Sequence, residues 1–143
     1  MKIEDLTKEL YNLNRSIKEI TTTTGFYEWE NLEEVEADKD NPEQLLLLEE
    51  YKRVIGKLDE VNRALDYLKR PITIEGELLL QNNGRYTIGD TELTSGKPLE
   101  VLIYDEYEEL YRWLASRIES NSKGYYIVGY DGVINGLKAR IRG

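Results

Sequence analysis

The stretch EGELLLQNNGRYTIGD, residues 75–90, decides the fold. Asn82, Asn83 and Gly84 stand between two runs of strand-forming residues, and Asn-Gly readily takes the positive φ of a tight turn. The stretch therefore predicts a β-hairpin, and the same grammar continues to the end of the sequence. Thr94-Ser95-Gly96-Lys97-Pro98 is a second turn, leading into Leu99, Val101 and Ile103, which alternate with Glu100 and Leu102. Asp131-Gly132 and Asn135-Gly136 bracket a short VIN segment. In the last strand Leu137, Ala139 and Ile141 are expected to face inward, with Lys138, Arg140 and Arg142 outward. Six short turn-bounded segments over ~70 residues predict a small, partly open antiparallel β-barrel of the SH3-like kind across residues 71–143.

One segment of this half reads two ways. Tyr107, Leu110, Tyr111, Leu114 and Ile118 have helical spacing, yet Trp113, Ala115, Arg117 and Leu114, Ser116, Ile118 also fit the two faces of a strand. The expectation is a turn of helix at 105–110 and a strand over about 113–119.

Upstream the period changes from two to three and four. Ile3, Leu6, Leu10, Leu13, Ile17 and Ile20 follow the a/d spacing of a helix that buries a narrow stripe. Thr21 to Thr24 and Gly25 stop it. A second helix has Asn41 as its N-cap and Pro42 at its first position. Leu47, Tyr51, Val54, Leu58, Val61, Leu65 and Leu68 give it a seam of the same kind, and Pro71 closes it. Residues 1–70 therefore read as an antiparallel helical hairpin with an acidic connector at about 26–41, and the chain as α+β. Phe26, Tyr27, Trp29, Leu32 and Val35 make part of that connector apolar enough to fold back on the hairpin. The seams fit packing within one chain, or a homodimer of four helices, since a lone helix pair buries little.

Composition narrows the function. A chain of 143 residues that is 40% hydrophobic and 33% charged is ordinary for a globular protein. No apolar run approaches the ~20 residues of a membrane span, and residues 1–20 lack a signal-peptide core, which predicts a cytoplasmic protein with no membrane partner. With no cysteine and no histidine, thiolate nucleophiles, Cys-type zinc sites and the commonest general base are excluded. The net charge of −9 is concentrated: residues 26–50 hold ten acids against Lys39 alone, which already sums to −9. From Leu110 onward six bases face only Glu119 and Asp131.

Short blocks in the second half carry a resemblance. These are Gly84-Arg85-Tyr86, Leu93-Thr94-Ser95-Gly96 with Leu99-Glu100-Val101, Trp113 with Ser116-Arg117-Ile118-Glu119, Gly124-Tyr125-Tyr126-Ile127-Val128, and Gly136-Leu137-Lys138-Ala139-Arg140-Ile141. With them, residues 76–143 resemble a family of small uncharacterised β-domains found on plasmids, conjugative elements and phages of Gram-positive bacteria. The chain departs from the family's short form by its long N-terminal hairpin and by the extra YDEYEELY before Trp113. The resemblance implies no activity; it implies a setting, as accessory cargo of a mobile element.

Candidate chemistry fails by residue type and spacing. Asp38-Lys39-Asp40-Asn41 begins like a calcium loop, but Pro42 and Glu43 stand where the ligand series and the obligatory glycine belong. Glu33/Glu34 and Glu108/Glu109 lie inside charge runs, without an apolar pocket to raise one pKa. Gly84, Gly89 and Gly96 form no phosphate loop. The expectation is no enzyme, no cofactor and no metal.

Two binding readings remain. The first is a non-enzymatic protein-interaction module. Its acidic patch of Glu28, Glu30, Glu33, Glu34, Glu36, Asp38 and Asp40 would mimic DNA phosphates and inhibit a host defence nuclease in the anti-CRISPR manner. The second uses an aromatic and basic face of Tyr104, Tyr107, Tyr111, Arg112, Arg117, Tyr125, Tyr130, Lys138, Arg140 and Arg142. Such a face suits peptide recognition, or weak nucleic-acid binding by base stacking. The plain alternative is that these rings fill a core short of phenylalanine and that the acids form a solvated surface. One small barrel cannot bury them all.

Overall fold

The computed structural model describes residues 1–27 and 31–143; Glu28 and Glu30 of the expected acidic patch lie outside the described residues, as does Trp29. The elements in order are α1 (Ile3–Thr23), β1 (Phe26–Tyr27), β2 (Asn31–Leu32), α2 (Pro42–Lys69), β3 (Ile72–Leu80), β4 (Tyr86–Ile88), β5 (Thr91–Glu92), β6 (Pro98–Asp105), β7 (Leu110–Asn121), β8 (Gly124–Ile127) and β9 (Lys138–Arg142). They fall into two compact units, Met1–Lys69 and Arg70–Gly143, and the chain is α+β. Among the described residues no helix is long and apolar enough to cross a membrane.

The first unit begins and ends its helices where local chemistry dictates. The Asn41 side chain accepts from the backbone N–H groups of Glu43 and Gln44 at 3.1 and 3.3 Å, so it caps α2. After α1, Gly25 takes φ +63°, and a Cβ there would lie 2.8 Å from Glu34 Cγ. Only glycine lets the chain turn at that point while Glu34 N–H bonds to Thr24 carbonyl at 3.1 Å. Beyond the turn β1 pairs with β2, and Leu32 is buried.

The stripe buried along the two helices shares only Ile17 and Leu65 with the expected seam. Asn14, Ile17, Ile55, Asn62 and Leu65 are buried, whereas Leu6, Leu13, Ile20, Leu47, Tyr51, Val54 and Val61 are exposed. At the centre of the contact Asn14 donates to Asn62 and to Asp66, while Lys69 donates to Asn14 and sits 4.6 Å from the Tyr11 ring centroid. Lys18 closes the cluster on Asp66 at 2.8 Å. The Lys18 ammonium holds the Asp66 carboxyl below the usual carboxylate range, partly opposed by burial and aided by Asn14. The apolar seams are thus only partly covered, and the physical reason is polar satisfaction. Two asparagines that answer each other can be buried together, so a count of apolar spacing does not select the contact face.

The second unit is one antiparallel sheet in the order β5-β4-β3-β9-β6-β7-β8, curled into a half-barrel. The hairpin read at residues 75–90 is present: Leu78 faces Ile88, Leu80 faces Tyr86, and Gly84 takes φ +82°. Inside the curl Leu78, Ile88, Leu93, Leu99, Val101, Ile118, Ile127, Ala139 and Ile141 form a closed core. Ala139 and Ile141 face it as the alternation of β9 requires, and Leu137 packs against it from the preceding turn.

Residues 105–110 correct the expectation of a helical turn. Asp105 pairs with Leu110 and Tyr104 with Tyr111, so β6 and β7 form one long hairpin whose turn is residues 106–109. The Asp105 side chain accepts from the Tyr107 and Glu108 N–H groups, both at 3.0 Å, and Glu109 takes φ +55°. A carboxylate that caps its own turn removes the need for a helix, and β7 starts at Leu110 rather than near Trp113. The VIN segment forms no strand; it carries the chain between β8 and β9.

Candidate functional site

Cross-strand register places a mixed charged and aromatic array on the sheet face opposite the core. Glu100 stands opposite Ala115 and Arg140, Leu102 opposite Trp113, and Tyr104 opposite Tyr111. Glu100 is only 3% exposed, which for a carboxylate demands strong partners. It has them: Arg140 Nε donates at 2.7 Å and Arg142 Nε at 2.6 Å. The Arg140 guanidinium lies 4.1 Å from the Trp113 ring centroid, and Arg142 also donates to the Arg70 carbonyl at 3.1 Å. Two of the three outward cations of β9 are therefore fixed by one buried acid.

The remaining bases of the expected basic face are also engaged. Arg112 pairs with Asp105 at 3.0 Å, Arg117 with Glu119 at 2.8 Å, and Lys138 with Glu75 at 3.7 Å. The aromatic set divides. Tyr125 and Tyr130 pack on the core, Tyr130 donating its hydroxyl to Val133 carbonyl at 3.0 Å. Tyr104 and Tyr111 instead lean on each other, centroids 5.1 Å apart, while staying 50% and 69% exposed. Tyr107, in the turn, is 93% exposed. The structure thus brings Tyr104, Tyr111, Arg140 and Arg142 to one face with Trp113, and separates Tyr125 and Tyr130 from it.

Beside this face runs an open strand edge. Ile118 exchanges backbone bonds with Gly96 and Lys97 on the β6 side, while Arg117 carbonyl accepts from Val128 N–H on the β8 side. Alternation then aims the N–H and C=O groups of Tyr111, Trp113 and Ala115 away from β6. Pairing with β8 covers only Ile118 to Asn121, so among the described residues no strand lies along the edge at Tyr111, Trp113 and Ala115. Where β8 leaves β7, a groove of about 560 Å³ opens, lined by Arg117, Tyr126, Val128, Tyr130 and Asp131.

The described members of the acidic patch, Glu33, Glu34, Glu36, Asp38 and Asp40, are all exposed on the connector. Asp38 is held by its N–H to Gln44 Oε1 at 2.9 Å and caps Asp40 N–H at 2.9 Å. Among the described residues no cluster of three or more acids converges as a metal site would.

Sequence reasoning missed two groups, Glu100 and the Asn14–Asn62 pair. A signal existed for the first: an acid between Leu99 and Val101, with two arginines at alternate positions of the closing strand. The pair at Asn14 and Asn62 had a fainter one, a polar residue directly beside an apolar a/d position on each helix.

Fold and site together define an α+β chain whose second unit is a small curled β-domain with an aromatic face and an open edge. Residues 76–141 match the family described as Domain of unknown function (DUF5348), so this part of the chain is similar to an uncharacterised small-domain family. No curated protein and no solved structure matches the chain.

Proposed function

We propose that the chain is a non-enzymatic protein-interaction module that captures an extended segment of a partner protein along β7. The single observation that carries this reading is the open edge at Tyr111, Trp113 and Ala115 lying directly beside the exposed Tyr104–Tyr111 pair. A strand edge offers backbone donors and acceptors that an added strand satisfies, and flanking aromatic side chains supply the apolar contact. Nucleic-acid binding is the weaker alternative, because Arg112, Arg117, Arg140 and Arg142 each already face a carboxylate and phosphates would have to displace it.

In this reading the sheet is a partly open barrel of the SH3-like kind, and the helices form an antiparallel hairpin. The setting is the cytoplasm, as an accessory protein of a phage or other mobile element. The exposed acids at residues 33–40 favour a second use, in which they occupy the basic DNA channel of a host defence nuclease. Reversing Glu33, Glu34, Glu36, Asp38 and Asp40 to lysine should then abolish inhibition in a purified nuclease assay; retained inhibition removes the DNA-mimic role.

The edge itself is tested with Ala115→Pro. Proline removes a donor that points away from β6, so the hairpin is kept and only the added strand loses a bond. A phage-displayed library of random extended peptides, selected on the full chain, should yield binders with alternating apolar residues that lose at least tenfold in affinity on Ala115→Pro. No enrichment, or equal binding to the variant, rejects the reading.

A further inference from the structure

The helical unit leaves uncovered the residues that usually hold helices together. Leu6, Leu13 and Ile20 recur every seven residues along α1, and Leu47, Val54 and Val61 do the same along α2. All six are exposed, whereas Asn14, Ile17, Ile55, Asn62 and Leu65 are buried and the helices meet through Asn14 on Asn62 and Asp66.

Simple helix geometry shows that the two exposed rows share a side. At about 100° per residue, the α1 row lies roughly 70° from the Asn14–Ile17 contact stripe, and the α2 row lies roughly 70° from its own stripe in the same rotational sense. The contacts fix the relative direction of the helices. Tyr11 meets Lys69 and Lys18 meets Asp66, so numbers rise along one helix as they fall along the other. For two helices running in opposite directions and facing each other, equal offsets of the same sense point to the same face. The two rows therefore lie on one side of the pair and come level at Ile20 and Val61, while Leu47 and Tyr51 continue the α2 row toward Val35 of the connector.

We propose that this surface is covered by the same surface of a second copy of the chain, giving a four-helix bundle. Three features of the helical unit select that occupant. The seven-residue spacing on both helices asks for a partner that itself presents helices at that spacing, and a second copy does so. The face belongs to two antiparallel rods, which pack against their own image about a two-fold axis. The seven side chains expose on the order of 500 Å² of apolar surface, and that is the apolar share of the roughly 800 Å² per partner buried in a standard interface. The asparagine layer stays inside each chain, where it is already satisfied, so the new interface need not bury it.

The charge of the chain gives the association a signature. Each copy carries −9, so two copies repel, and added salt should tighten the dimer until that repulsion is screened.

The test is sedimentation equilibrium of the full chain at micromolar concentration in low and moderate salt. A mass of twice 16.7 kDa, with weaker association at low salt, is the expected result. Val61→Glu should give a monomer with an unchanged far-ultraviolet spectrum, and Leu13→Gln, a milder change that keeps the helix, should weaken association at least tenfold. A wild-type mass of 16.7 kDa at every concentration overturns the proposal, as does a Val61→Glu chain that remains folded and dimeric. Because the site on β7 lies in the other unit, peptide binding by Val61→Glu should match wild type, which separates failure of the dimer from failure of the edge.

Discussion

The two units solve the burial problem in opposite ways. The sheet curls on itself, and nine residues from Leu78 to Ile141 are closed off from water. The helical unit closes only a stripe centred on Asn14 and Asn62, leaving Leu13, Val54 and Val61 outside. A sheet that curls supplies both walls of its own core, whereas two helices offer each other one narrow contact and keep a second face in hand. Stability should therefore reside in the sheet, and association in the helices.

That division is broken most directly at Glu100. Glu100→Ala leaves Arg140 and Arg142 facing each other in a half-buried position, and the sheet should lose about 3–5 kcal/mol in urea unfolding. A loss below about 1 kcal/mol would mean that the arginines simply swing into solvent. The next largest contrast sets the two surfaces side by side. Leu99→Ala, in the closed core, should cost about 2–5 kcal/mol, while Leu46→Ala, half-exposed on α2, should change stability by no more than about 0.5 kcal/mol. Equal losses would show that the helices have a core of their own.

Asn14 tests the helical contact itself. Asn14→Ala strands the Asn62 amide in a buried position and should cost about 1–3 kcal/mol. The double variant Asn14→Ala/Asn62→Ala should cost less than the two single changes added, since it removes both members of one pair.

These positions also show what the sequence could and could not convey. Turns were legible because they depend on one or two residues: Asn83-Gly84 gave the first hairpin, and Asn41-Pro42 gave the start of α2. The last strand was legible because its alternation runs unbroken from Leu137 to Arg142. Residues 105–110 were misjudged because helical spacing and strand alternation coincide there, and the deciding term, the Asp105 carboxylate capping its own turn, is a three-residue interaction. The helical contact face was missed for a different reason. Apolar periodicity finds every face that wants cover, but not which of two such faces is taken first; that choice belongs to Asn14 and Asn62, 48 residues apart. Of the candidate site, the tyrosines were visible as composition, but the open edge of β7 depends on where β8 stops, which is a matter of register.

The smallest effect lies at the rim of the same helical contact. The Asp66 carboxyl is held below its ordinary pKa chiefly by Lys18, so the folded state binds the proton less readily than the unfolded chain does. Unfolded Asp66 titrates near the ordinary value of about 3.9, and stability therefore rises with pH through the window just below it. The contribution is complete above about pH 5 and is lost as pH falls through the lowered folded value. Asp66 and Lys18 are both more than a third exposed, so water screens the pair and its worth lies within the ~0.2–1 kcal/mol of solvent-facing ion pairs. Thermal midpoints of wild type and Asp66→Asn should differ slightly at about pH 6 and converge toward about pH 3. If the difference persists undiminished at the acid end, the ion pair is not its source, and the amide contact from Asn14 to Asp66 would carry the effect instead. That outcome would move the weight of the helix contact from its charged rim to its asparagine layer.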